Sequence, residues 1–440
     1  MMKRLLALAL CLCFALGGCA PAPASEAPDG EPLPTADYEA LALRLAAAPE
    51  GTGEPVDAAL TPAFTAYTLR AAERLMAGGT EQNAVWSPAN LYLALCMLAE
   101  TTDGASRAQI LDLLGLSGAE QARAAAGALC RALCRESETG RTLLANSLWL
   151  NERFPYHEDT VDALAEDYYA STFRAPMGER ATDAAVAAWI DAQTDGLLRD
   201  AAASLQTDSD TLLMLISTLY FKGTWREQFE ESATSEDVFA AADGAEQRVG
   251  FMHRVKNGNY YRFGSFTAAA LPFVDGAEMW FLLPDEGVAL DDLWQITWNL
   301  PMLAVDTSDG CYELPDFHSL ARADYGEIHW SVPKFDVGGD LDLIPALKAL
   351  GVTDIFDDRA DFSPLTDLEA AVSAVKHAAR VKVDEEGCEA AAFTAVTVEA
   401  TATSPEALPV VEMDLSRPFG FLITGAEGLP LFVGVVNTVE

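Results

Sequence analysis

The chain has 440 residues, half of them hydrophobic and 22% charged, which is enough apolar material for a sizeable core. Its 28 basic and 67 acidic residues leave a formal net charge of -39. That excess speaks against nucleic-acid binding and against docking on anionic lipid through a basic face, since both need clustered Lys and Arg. Five histidines are scattered, and neither an HExxH nor a paired CxxC occurs, so no metal and no cofactor is expected.

Lys3 and Arg4 precede an apolar run from Leu5 to Leu16. A membrane span needs about 20 such residues, whereas the apolar core of a secretory signal needs about a dozen. Leu16-Gly17-Gly18-Cys19 resembles a bacterial lipobox. Residues 1–18 are therefore expected to be a lipoprotein signal peptide, with Cys19 as the lipid attachment; a plain signal peptide is the alternative. The expected location is outside the cell, anchored to the bacterial membrane. Residues 19–57 are rich in Ala, Pro, Glu and Gly and predict a flexible tether, with room for a short helix at Tyr38–Ala48. One folded domain, 58–440, follows. Its five cysteines, at 96, 130, 134, 311 and 388, are odd in number and unpaired in spacing, which describes buried thiols rather than a disulfide framework.

Along that domain, helical periodicity predicts helices at Pro62–Met76, from Ser87-Pro88 through Leu98, at Asp159–Tyr169 and at Asp183–Gln193. Strands are predicted at Thr142–Leu150, Thr211–Phe221, Glu278–Leu283, Glu327–Val332 and Ala379–Val383. Phe419–Ile423 and Leu431–Val436 flank a Gly-rich turn and predict a buried hairpin. Helices gather early and strands late, an α+β pattern. No Gly-rich phosphate loop, GxSxG or SxxK occurs, and the chain is not expected to be an enzyme.

The stretch from Ala379 to Phe421 carries the functional signal. Counted alternately from Cys388, one face holds Cys388, Ala390, Ala392, Thr394, Val396 and Val398. The other holds Glu389, Ala391, Phe393, Ala395, Thr397 and Glu399. A period of two with one small, uncharged face suits a strand squeezed into a sheet. An Ala-rich helix is the alternative reading.

Six ordered motifs bear on that choice. DEEGCEAAAFTAV, from Asp384 to Val396, is similar to the hinge EEGTEAAAAT of the serpins. NAVWSP, from Asn83 to Pro88, resembles the family's NxxxSP helix start, and LYFKGTW, from Leu219 to Trp225, its YFKGxW. VPKF at 332–335 resembles its PKF strand, followed by LKALGVTDIF and ADFSPLTD. LSRPF at 415–419 stands where the family has DRPF, with Ser416 and Gly420 departing from the signature. The resemblance runs over roughly 58–440 and implies the serpin fold, with eight to nine helices, three β-sheets and an exposed reactive loop.

The same resemblance implies an inhibitor of serine-type endopeptidases that acts by suicide trapping: cleavage of the loop, acyl-enzyme formation, and insertion of the loop into the central sheet. The hinge would comprise Glu385, Glu386, Gly387, Cys388, Glu389, Ala390, Ala391, Ala392, Phe393 and Thr394. Family register places the reactive bond between Thr401 and Ala402, with 399–404 as its range. Small residues there point to elastase-like or subtilisin-like targets. Lys334, paired with Glu385 near Trp225, and His377 with Ser87, Asn90 and Ser217 would form the sheet-opening region. The partners implied are a target protease and, through Cys19, a membrane; the chain is expected to be a monomer. A non-inhibitory serpin serving as a binding module or substrate is the alternative. Phe393 is large where the family prefers a small residue, and Cys388 replaces the usual Thr or Ser.

Overall fold

A computed structural model of the chain describes residues 6–11, 37–49, 51, 60–76, 82–288, 290, 324–388 and 408–439. The chain begins with β1 (Leu6–Cys11), β2 (Ala42–Arg44), α1 (Leu60–Leu75), β3 (Ala84–Trp86) and α2 (Pro88–Thr101). It continues through α3 (Gly104–Leu114), α4 (Ala119–Leu133), β4 (Arg135–Glu136), β5 (Gly140–Asn151), α5 (Glu158–Asp167) and β6 (Ala170–Ala175). Two helices, α6 (Arg180–Gln193) and α7 (Arg199–Ala203), precede a strand-rich stretch. This stretch holds β7 (Leu213–Thr224), β8 (Thr234–Ala240), β9 (Glu246–Arg262), β10 (Phe266–Pro272) and β11 (Glu278–Pro284). After it come β12 (Asp324–Pro333), β13 (Phe335–Asp342), α8 (Ile344–Ala349), β14 (Ala370–Val383) and β15 (Gly387–Cys388). β16 (Val410–Asp414), β17 (Phe419–Thr424) and β18 (Pro430–Val436) close the chain.

The described strands form two nine-stranded sheets. The first runs β1-β14-β15-β7-β5-β6-β2, with β13 on β14 and β4 on β5. The second runs β16-β12-β9-β10-β11-β17-β18-β3, with β8 on β9. Three sheets were the expectation from family resemblance; two of them are joined here because the 17-residue β9 pairs with β12 and β8 and then, at its end, with β10. Eight α-helices are present among the described residues. The α+β architecture and the hairpin of β17 and β18 agree with the sequence pattern.

Why α2 sits at the centre follows from its composition. Every residue of it is buried, and a helix that is mostly apolar, with Asn90, Glu100 and Thr101 as its few polar members, has no face to give to water. Burying Leu91, Leu93, Leu95 and Leu98 contributes roughly 1.5–3 kcal/mol each. Ser87 starts the helix: its Oγ accepts from the Asn90 N–H at 3.2 Å, and Pro88 fills the first turn, where a missing N–H costs nothing.

One expectation needs correction. Part of the predicted tether is folded onto the first sheet. Residues 38–41 form a 3-10 turn capped by Asp37, and β2 pairs antiparallel with β6 in place of a helix at Tyr38–Ala48. Arg44 pairs with Asp162 and, at 2.8 Å, with Glu166, while the Tyr38 ring packs edge-on against Phe173. The reason is that β6 offers an open sheet edge whose backbone groups need partners. A separate finding concerns Leu6–Cys11, within the expected signal peptide. In the uncleaved chain it is a strand, parallel to both β14 and β7.

That placement defines a slot. β7 pairs along its full length with β5 on one side, and β14 pairs with β13 from Phe335↔Val383 to Asp342↔Lys376. Their facing edges pair with each other nowhere among the described residues. Instead Cys388 of β15 bridges Val383 and Gly223 at the top, and Leu10 of β1 bridges Val375 and Leu215 near the bottom. One strand therefore separates the two walls at both ends.

Candidate functional site: the slot and its hinge

At the top of the slot, β14 reverses into β15 through a turn built by Asp384. Its Oδ1 accepts from the Glu386 N–H at 3.0 Å and the Gly387 N–H at 3.3 Å, while its own N–H donates to the Gly387 carbonyl at 3.0 Å. This is the local turn chemistry that Asp supplies to N–H groups two and three residues on. Gly387 has no room for a side chain: a Cβ would overlap the Gly223 carbonyl oxygen and stand 3.0 Å from Thr224 Cα. Backbone approach this close is open to glycine alone.

The segment after β7 fastens the turn. The Trp225 N–H donates to the Glu386 carbonyl and its indole Nε1 to the Asp384 carbonyl, both at 3.0 Å. The Phe229 N–H donates to the Glu385 carbonyl at 3.0 Å. Trp225 itself is locked by stacking on Phe273, with centroids 4.4 Å apart and planes 8° off parallel. The expected ion pair is present, with Lys334 Nζ 2.8 Å from Glu385 Oε2. Lys334 is 43% exposed along its side chain and Glu385 13%. Burial alone would raise the Glu385 carboxyl; Lys334, its own backbone N–H and the Thr234 hydroxyl at 3.0 Å outweigh that and hold it below the usual carboxylate range.

Lower down, the second expected cluster assembles in the core. His377 of β14 is buried, and its Nε2 accepts from the Ser87 N–H at 2.9 Å. Burial pushes its pKa down to about 4, so the ring is neutral at pH 7. Asn90 Nδ2 donates to the main-chain carbonyl of Ser217, on β7, at 3.0 Å. One helix start thus grips both walls: β14 through Ser87 and His377, β7 through Asn90. Asn90 thus reaches the Ser217 main chain.

Lys334, Trp225, Glu385, Ser87, Asn90, Ser217 and His377 are all brought into these two clusters. Glu386, Gly387 and Cys388 lie in the turn and β15, with Cys388 buried. Glu389, Ala390, Ala391, Ala392, Phe393, Thr394, the reactive-bond residues Thr401 and Ala402, and Cys19 lie outside the described residues. Sequence reasoning missed three participants. Asp384 could have been found from its spacing to Gly387 (the Asx-turn pattern). Thr234 and Phe229 act through contacts that no local signal announces. Cys96, Cys130 and Cys134 are buried thiols, and burial pushes Cys134 up to about 11. Among the described residues no cluster of three or more His, Cys, Asp or Glu could hold a metal.

Residues 62–439 match the family model Serpin (serine protease inhibitor). Serpin-ZXA of Oryza sativa subsp. japonica is 30% identical over 397 residues, covering 85% of this chain and 96% of its own. Serpin-ZX of Arabidopsis thaliana is 27% identical over 372 residues, covering 80% and 91%. In fold, the chain is similar to a native-state thermophilic serpin, tengpin, with a TM-score of 0.74 at 24% identity over 88% of this chain and 95% of that one. The latent state of the same serpin gives 0.70 at 22% identity, covering 88% and 100%.

Proposed function

The chain belongs to the serpin family, whose members in general inhibit proteases, and we propose that it inhibits a serine protease by suicide trapping. The protease attacks the loop at Thr401–Ala402 and forms an acyl-enzyme through its own nucleophile. The cut loop then enters the slot between β7 and β14 and carries the protease along. Each inserted residue gains ladder hydrogen bonds worth about 1 kcal/mol net, which over a dozen residues drives the change. The observation that supports this reading is β15, which already pairs antiparallel with both walls: Cys388 with Val383 and Gly223, and Gly387 with Thr224, with Gly387 fitted against Gly223.

Small residues around Thr401 and Ala402 favour elastase-like or subtilisin-like targets, and the absence of Lys or Arg between Lys382 and Arg417 disfavours trypsin-like ones. The test is incubation with an elastase, a subtilisin and trypsin. The expected result is an SDS-stable complex with one of the first two and release of a C-terminal peptide beginning at Ala402. Cleavage without a complex would favour the second reading, a non-inhibitory serpin acting as a binding module or substrate, which the bulk of Phe393 supports.

The same proposal places the protein outside the cell as a monomer, held to a membrane by lipid on Cys19, with 19–57 before the serpin domain. Cleavage before Cys19 would remove Leu6–Cys11 from the slot and leave the lower half to the loop. A diacylglyceryl mass on the N-terminal peptide of membrane-extracted protein is the expected finding; an unmodified Cys19 defeats the anchor.

A further inference from the structure

The slot is occupied at the top by β15, with Cys388 between Val383 and Gly223, and at the bottom by β1, which reaches Lys376. The interval between them lies on the middle of β14 and β7. Three residues down each wall from Val383 and Gly223 stand Arg380 and Tyr220, so these two share a level, one strand apart. Alternate residues of a strand share a face, and this face is the one that carries α6. Ala378 of β14 and Met214 and Ile216 of β7 pack there in one apolar cluster with Trp189, Ile190 and Leu198.

The loop joining α6 to α7 crosses the slot at that level and holds both walls. Toward β14, the Leu197 carbonyl accepts from Arg380 Nη1 at 3.4 Å. Toward β7, Asp195 Oδ2 accepts from the Tyr220 hydroxyl at 3.5 Å, and it lies 3.9 Å from Arg141 Nη1 on the next strand, β5. Asp336 of β13 aims the arginine: its two carboxylate oxygens take Nε and Nη2 of Arg380 at 2.7 and 2.9 Å, which turns Nη1 toward the loop. The loop itself is tightly knit. Thr194 is buried and its hydroxyl donates to the Ile190 carbonyl at 2.8 Å; the Gly196 N–H donates to the Asp191 carbonyl at 3.0 Å, and the Leu197 N–H to the Thr194 carbonyl at 2.9 Å. Asp195 has a φ of 50°, a left-handed backbone that a residue with a side chain keeps only where its surroundings hold it. Such a loop moves as one piece, so release takes place at its long contacts with the walls.

We propose that this loop is a crossbar over the slot and that Arg380 is its latch, a positioning residue that sets how often the middle of the slot opens. A strand that advances beyond Cys388 meets the bar at its third residue, whose side chain points at the loop, because residues directly opposite in a ladder share a face. It passes when Leu197 leaves Arg380 and Asp195 leaves Tyr220. The bar's part in strand entry rests on the trapping reading; the opening and closing of the bar does not.

The test follows amide exchange by mass spectrometry in the intact chain, with no protease present. In Arg380→Met, exchange in 377–382 and 217–222 is expected to quicken about fivefold, the factor that goes with one hydrogen bond of ordinary net strength, while exchange in β17 and β18 and the melting temperature stay as in the parent. Arg380→Lys keeps a charge beside Asp336 but has a single nitrogen, so it is expected to behave as Arg380→Met does. Tyr220→Phe removes only a hydroxyl and frees the other end, for a smaller rise of about twofold. Unchanged exchange in Arg380→Met, a rise shared by β17 and β18, or an Arg380→Lys that matches the parent overturns the latch. Cutting the reactive loop of parent and Arg380→Met with subtilisin then separates the two ideas. Both cut forms are expected to gain heat resistance, the variant about fivefold faster. Equal rates overturn the crossbar; no gain in either defeats trapping and leaves the latch resting on the exchange result.

Discussion

The slot is fastened at two levels, and the two fastenings are built on opposite physics. At the hinge, Lys334 and Glu385 form a charged pair at the protein surface, with one partner half-exposed. In the core, Ser87, Asn90 and His377 form a neutral set of hydrogen bonds with no formal charge to screen. The first can be tuned by salt, pH or a neighbouring ligand at small cost. The second is fixed by burial, where a lost partner leaves an uncompensated polar group. The hinge is therefore the adjustable end, and the core cluster sets the frame it works against.

The largest test of that contrast is His377→Ala. It strands the Ser87 N–H and leaves a cavity, so resistance to unfolding is expected to fall by about 3 kcal/mol, measured from denaturant midpoints. The pH response of the same site has a definite sign. The folded pKa of His377 lies below its unfolded value of about 6.5, so its stabilising contribution is complete above pH 6.5 and is lost as pH falls toward about 4. A His377→Gln variant should melt at a temperature that varies less over that window than the parent does. If parent and variant lose stability in parallel, the core cluster is not the acid-sensitive element.

A smaller effect is expected at the hinge. Glu385→Gln should cost about 1–2 kcal/mol, given its partial burial and two side-chain partners, and the difference from the parent should shrink in high salt. Glu385 also has a depressed folded pKa, so its contribution holds above its unfolded value and is lost only in stronger acid, below the range in which His377 acts. A loss that ignores ionic strength would show that the Thr234 hydrogen bond, not the Lys334 charge, holds the hinge.

The smallest effect belongs to the rim. His329 of β12 lies 2.9 Å from Glu327 and 3.2 Å from Glu412 of β16. A side-chain hydrogen bond to Glu327, then the charges of Glu412 and Glu327, raise its pKa against the opposing effect of desolvation. The sign is opposite to that of His377: the contribution is present below the unfolded value and is lost as pH rises through the raised one. Protection factors of the β16 amides, which discount the base-catalysed rise of intrinsic exchange, should fall modestly as pH rises above the unfolded value of about 6.5, and His329→Gln should remove that fall.

Much of this was readable in the residues, but unevenly. Ser87-Pro88 announced the start of α2 because capping is local, and the β17–β18 hairpin announced itself through two apolar runs around a Gly-rich turn. The hinge and both clusters were legible through motif resemblance, which carried Lys334, Trp225 and His377 to their places. Only the last five residues of β14 were predicted as strand. Its first nine, from Ala370 to Ala378, are Ala-rich and carry no strand preference of their own; pairing with β13 and β1 decides their conformation. Residues 38–44 read as linker for a similar reason, since the β6 edge that captures β2 is 126 or more positions away in sequence.

The helix start that touches β14 through Ser87 and β7 through Asn90 works as a gauge block beneath the sheet. With both contacts made, the walls stand one ribbon apart, about 9–10 Å at ordinary strand spacing. A narrower gap would strain one contact, and a wider one would break it. Width here is gripped by a capped helix underneath, alongside the β1 strand that lies between the walls.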